Sequence, residues 1–149
     1  MWRALTRNFA ETAPVHDDAR LRGRTYAIPF EDVWNAAHAL CTVGMRGWRL
    51  VAADDEEGVM KAEATTVFRR KIDDVVIRIS LDRDAQTRVD ARAGAREGRG
   101  DWGRNARRLN RFFRALDSAV VEARRQRMEA NRPRGGATAA PGGAAPRRS

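Results

Sequence analysis

Two neighbouring runs with a strict period of two limit what this chain can fold into. Val75, Ile77, Ile79 and Leu81 point one way in the first, and Thr87, Val89, Ala91 and Ala93 do so in the second, after a polar turn. Side chains alternate across a strand, so each run predicts a strand with one apolar face. A glycine- and arginine-dense stretch, Gly94 to Gly103, then leads into apolar residues at helical spacing: Ala106, Leu109, Phe112, Phe113, Leu116 and Val120. A hairpin with one apolar face and a helix with one apolar stripe bury those surfaces against each other, which predicts a helix lying on an antiparallel sheet. Pairing Ile79 with Val89 would set Arg78 opposite Asp90 on the outer surface, an ion pair worth roughly 0.2–1 kcal/mol. Arg104, Arg107, Arg108, Arg111 and Arg114 are expected opposite the apolar stripe of the helix.

The upstream sequence supplies the rest of the sheet. Tyr26, Ile28 and Phe30 alternate, and Pro29 lacks the ladder donor, so this reads as an edge strand. Val33, Trp34, Ala37, Leu40 and Cys41 share one helical face, Glu31 and Asp32 suit its positive end, and Gly44 supplies a stop. Trp48, Leu50 and Ala52 predict the next strand, Asp54 to Gly58 a turn, and Met60, Ala62, Ala64 and Thr66 the inner face of the returning strand. The expected fold is α+β: an antiparallel sheet of about five strands in the order β-α-β-β-β-β-α, with two helices packed on one face. Residues 1–23 read as a loosely ordered lead-in, 24–130 as one domain, and 131–149 as a disordered tail of Pro, Gly, Ala and Arg. Trp2, Leu5 and Phe9 beside Arg3 and Arg7 would suit a short interfacial helix, and a frayed terminus is the plainer reading.

Spaced polar and glycine positions add to the hydrophobic pattern. Asp73-Asp74-Val75-Val76-Ile77-Arg78-Ile79, Arg88-Val89-Asp90-Ala91-Arg92, and then Arg96, Gly98, Asp101, Gly103, Asn105 and Arg108-Leu109 resemble the signature of the bacterial domain of unknown function 1499 family. Gly47-Trp48-Arg49-Leu50-Val51, an acidic turn, and Ala62-Glu63-Ala64-Thr65 are similar to the first half of that family. The resemblance covers about Arg24 to Leu116 and makes Asp74, Gly98, Asp101, Gly103 and Asn105 family-pattern structural positions. Ala93 and Ala95 stand where the family usually has serines, and Trp102 where it has an aliphatic residue. The family implies no established activity. Many relatives carry an envelope-targeting segment that this sequence lacks.

Gly98-Arg99-Gly100-Asp101-Trp102-Gly103 fits Gly-x-Gly-x-x-Gly between a strand and a helix. A dinucleotide fold needs a parallel strand after that helix, and here a Pro/Gly tail follows, so the glycines read as a tight turn and Asp101 as the helix N-cap. No lysine follows them, which excludes a P-loop. The sharper expectation is an anion site at the N-terminus of the last helix, formed by Arg92, Arg96, Arg99, Arg104 and Arg108, with Asp73, Asp74, Asp90 and Asp101 competing for the same guanidiniums. Histidine is confined to His16 and His38, which cannot pair as metal ligands, and Ser80, Ser118 and Ser149 stand in no nucleophile elbow. Adjacent Asp73 and Asp74 point to opposite faces of a strand and make a poor acid–base pair. No catalytic residue, metal site or cofactor is predicted.

The formal charge of +9 comes from 29 basic and 20 acidic residues and invites a polyanion partner. Only Lys61 and Lys71 are lysine, and +3 of the excess lies in residues 129–149, so composition explains part of it. The outer sheet face mixes Arg49, Lys61, Arg78, Arg88 and Arg92 with Glu63, Asp82 and Asp90 and has no aromatics for stacking, so no specific nucleic acid is indicated. The single cysteine, Cys41, forms no internal disulfide and reads as a buried thiol. No apolar run has the form of a signal peptide or spans a bilayer, which predicts a cytoplasmic protein, at the membrane face included. These readings favour a non-enzymatic binding or scaffold module whose partner is an anionic ligand or an anionic membrane surface. A sequence-independent polyanion binder and an enzyme for a phosphorylated or carboxylated metabolite are the alternatives.

Overall fold

The computed structural model describes residues 9–11, 23–66, 68–96 and 102–135. Its elements are β1 (Phe9–Glu11), β2 (Arg24–Tyr26), α1 (Phe30–Ala39) continuing into a π-helical turn (Leu40–Gly44), β3 (Trp48–Asp54), β4 (Val59–Thr66), β5 (Lys71–Leu81), β6 (Thr87–Ala95) and α2 (Trp102–Ala130). Strands β3 to β6 form an antiparallel meander, and β1 and β2 share the position beyond β6 end to end. The sheet is thus five positions wide, with both helices on one face, the α+β arrangement that the alternating runs imply. The stretch before residue 24 adds one strand to it, β1, whose Phe9 to Glu11 pair with Gly94 to Arg92.

Each inner face follows the expected parity. Met60, Ala62 and Ala64 of β4, Val75, Ile77 and Ile79 of β5 and Val89, Ala91 and Ala93 of β6 are buried against Ala106, Leu109, Phe112, Phe113, Leu116 and Val120 of α2. Ile79 lies opposite Val89 and Arg78 opposite Asp90, as the register predicts, but the expected Arg78–Asp90 ion pair does not form: the Asp90 carboxylate accepts Nε and Nη2 of Arg88 on its own strand at 2.8 and 2.7 Å.

Three local departures from the alternation have physical causes. β2 ends at Tyr26, short of the expected Phe30: the Pro29 carbonyl accepts the amides of Asp32 and Val33 at 3.1 and 3.2 Å, so Phe30 opens α1 and stacks on Trp34 one turn later. In β3 the register slips between Leu50 and Ala52, Val51 being the extra residue of a bulge, so Ala52 faces Lys61 and solvent instead of joining Trp48 and Leu50 inside. On α2, Arg108 is 5% exposed and Arg104 only partly exposed, so these two do not lie opposite the apolar stripe but at its border.

The meander sorts charge between its two ends. Turns 55–58 and 82–86 lie at one end with Asp54, Asp55, Glu56, Glu57, Asp82 and Asp84. The α1–β3 link, the β4–β5 turn and the start of α2 lie at the other, with Arg46, Arg69, Arg70, Lys71 and Arg104.

Candidate functional site

Asp73 is a charged residue on an apolar parity. It precedes Val75, Ile77 and Ile79 on the inner face of β5 and is fully buried. A carboxylate withdrawn from water needs hydrogen-bonding cations around it. Two arginines one turn apart on α2 meet that need. Arg104 Nη2 donates to both Asp73 oxygens at 3.2 and 3.1 Å, and Arg108 Nη1 donates to Asp73 Oδ2. Arg108 Nη1 also donates to Asn105 Oδ1 at 2.5 Å, and its Nη2 reaches Thr66 Oγ1 at 3.4 Å. The aliphatic stem of Arg108 packs at the stripe's edge while its head reaches the carboxylate, which is how a long cation is kept inside.

Beside this cluster lies a groove of about 400 Å³ where three distant segments meet: residues 45–48, 64–66 and 104–111. Arg46, Arg104, Arg108 and Arg111 line it together with Trp48 and the threonines 65 and 66. No carboxylate, imidazole or thiol lines it among the described residues. Trp48 is held in place by stacking on Phe112, with ring centroids 5.6 Å apart and planes 11° from parallel. The π-helical turn positions Arg46: the amide of Met45 donates to Leu40 O at 2.8 Å, and Gly47, at φ 77°, turns the chain into β3. Arg46 and Arg111 are exposed, and their side chains make no hydrogen bond or ion pair among the described residues.

Of the five arginines read from the sequence as one group, the four that lie among the described residues divide between the two faces of the sheet. Arg104 and Arg108 share Asp73 on the helix side. Arg92 alternates with buried Ala91 and Ala93, which puts it on the opposite face. Arg96 serves that face as well, with Nη2 2.6 Å from Asp74 Oδ1 and 2.5 Å from Glu63 Oε1. Glu63 and Asp74 are directly opposed across β4 and β5, so Arg96 bridges two carboxylates that would otherwise repel. Asp74 and then Glu63 push the Arg96 pKa up, while hydrogen bonds from Arg96 and then Arg49 hold Glu63 below the ordinary carboxylate range. Arg99, Gly98 and Asp101, with the expected N-cap, lie outside the described residues. Gly103 is the second residue of α2, and Asn105 braces Arg108.

Sequence reasoning set Asp73 among four aspartates competing for the arginines, which its bonds to Arg104 and Arg108 bear out, but did not place it in the core and did not bring Arg46, Arg111 or Trp48 to a site. A signal existed for Asp73, because its odd number places it with Val75 and Ile77, where a carboxylate calls for a buried cation. Arg46 carries no such mark, since its place depends on the π-helical turn.

An antiparallel sheet under two helices, closed at one corner by a buried carboxylate between two arginines, defines an α+β domain with a basic groove rather than a nucleotide fold. Residues 6–116 match the family described as protein of unknown function (DUF1499), and the chain belongs to that family. No curated protein matches it. Among the described residues no helix is long and apolar enough to cross a membrane.

Proposed function

We propose that this protein is a non-enzymatic binding module whose groove between β3, β4 and α2 holds a small anion. The observation that carries the reading is the groove's charge: four arginines line it, and Asp73 behind them is the one carboxylate that the described contacts bring to the cluster. Arg46 and Arg111 extend the cationic surface from the floor to the rim, where a carboxylate or phosphate is recognised by their planar donor forks. The volume of about 400 Å³ is that of a small-molecule site. Cations, threonine hydroxyls and an indole are groups that hold and orient a ligand, and none of them is a nucleophile–base pair, so binding is the activity this donor set serves.

Thermal shift and calorimetric titration with inorganic phosphate, sulfate and a panel of small carboxylates test it. The native chain is expected to gain stability with at least one of them. Arg46→Gln/Arg111→Gln, two exposed changes that leave the core intact, abolishes the gain, and Arg96→Gln on the far face leaves it in place. A gain that survives the double change, or the absence of any gain, overturns the groove as an anion site.

A further inference from the structure

The β4–β5 turn ends the sheet on a combination unlike the rest of the surface. Phe68 is 98% exposed, and Arg69, Arg70 and Lys71 follow it, all exposed and without a side-chain partner among the described residues. One exposed apolar residue is ordinary on a soluble surface. Here the turn is tightly built: the amides of Arg69 and Arg70 both donate to Thr66 O, at 3.3 and 3.0 Å, and Arg70 sits in the left-handed region at φ 48°. Such a backbone is disfavoured for a residue with a side chain, and here the turn that adopts it presents Phe68 and three cations at the tip of the domain. The wider surface agrees. Arg46 lies at the same end, and the aspartates of β5 there, Asp73 and Asp74, are both engaged by arginines. The opposite end carries the acidic turns with Asp54, Asp55, Glu56, Glu57, Asp82 and Asp84. The strand turns are therefore polarised, acidic at one end apart from Arg83 and basic at the other beside the apolar Phe68, while the C-terminal part of α2 returns arginines such as Arg127, bonded to Asp32, to the acidic end.

We propose that this end docks on an anionic lipid bilayer, with Phe68 entering the interface between headgroups and acyl chains and Arg46, Arg69, Arg70 and Lys71 resting on the headgroup phosphates. The chemistry of a bilayer surface matches both parts of the tip: its negative potential attracts clustered cations, and its boundary region takes up an aromatic ring. A nucleic acid would use the cations but offers a lone phenyl little unless single-stranded bases stack on it. The acidic turns then face away from the surface, which favours this end over the other at contact. This docking shares Arg46 with the anion groove, but its anchor, Phe68, and its cations Arg69 and Arg70 lie outside the groove lining.

Co-sedimentation of the full chain with vesicles at about 0.15 M salt tests the proposal. Vesicles of phosphatidylcholine with one third phosphatidylserine are expected to bind it, and pure phosphatidylcholine vesicles are not. Phe68→Ala weakens binding about tenfold, the loss expected when a phenyl ring no longer leaves water. Arg69→Ala/Arg70→Ala weakens it about 25-fold, at about fivefold per cation near the surface. All three positions are exposed, and an unchanged melting temperature verifies that the variants fold. Absence of binding to the anionic vesicles, binding that ignores Phe68, or binding to single-stranded DNA at least as tight and equally sensitive to Phe68 overturns it.

Discussion

Replacing Asp73 with asparagine keeps the shape of the side chain and removes its charge. The carboxylate is fully buried, and the side chains of Arg104 and Arg108 are 17% and 7% exposed. Without it two guanidiniums face each other with little water to screen them, and the new amide nitrogen adds a third donor. Breaking a buried ion pair by removing one partner costs about 3–5 kcal/mol. In a domain of this size that corresponds to a fall in Tm on the order of 10–20 °C. The loss arises from stranding the cations and not from losing an attraction, so Asp73→Asn/Arg108→Met, which also removes the more buried cation, is expected to recover at least half of it. Urea unfolding at pH 7 of the native chain, both single variants and the double variant completes the cycle. A loss below about 1 kcal/mol in Asp73→Asn, or a double variant as unstable as the sum of its singles, would refute the account of Asp73 as the counter-charge that lets this corner close.

Three further outcomes follow from the buried polar groups and one turn. Tyr26 is the chain's one tyrosine, and burial, with help from its 2.6 Å hydrogen bond to Asp117, raises its pKa. The folded state therefore keeps the phenol neutral while an unfolded chain ionises near pH 10, so stability falls as pH rises above that value, and absorbance at 295 nm should rise only together with loss of far-UV circular dichroism. Burial pushes the Cys41 thiol up to about 12, so its reaction with a disulfide reagent at pH 8 should run at the rate of unfolding and become fast in urea; fast labelling of the native chain contradicts that. Gly58→Ala should cost about 2–3 kcal/mol or more, read by urea unfolding, because φ is 68° and a Cβ there would lie 2.1 Å from Ile79 O, whose own amide donates back to Gly58 O.

The parts of this fold that were legible in sequence are those where one strand or one helix decides the matter alone. Period two placed Ile79 against Val89 because a slip by one residue would turn every apolar side chain of β5 to water. The stripe on α2 was readable for the same reason. Val51 was not, since a bulge of this kind needs no glycine and the slip is set by how β3 fits β4. β1 is three residues long, too short to carry a period.

The division of the arginines follows from the same rule, applied one step further. Arg92 and Arg96 lie close in sequence to Arg104 and Arg108, which suggests convergence at the start of α2. Strand parity forbids it. Even-numbered side chains of β6 leave the sheet on the face away from the helices, so a full backbone layer separates Arg92 from Arg108. Asp74 and Asp73 divide in the same way, one with Arg96 outside and one with Arg104 and Arg108 inside. Adjacent aspartates on a strand thus sort neighbouring arginines into an exposed clamp and a buried cluster. Arg46 and Arg111 then decide which of the two borders a groove: only the inner set lies where the start of β3, the end of β4 and α2 converge, and that convergence is a property of the tertiary fold, which no spacing within one segment records.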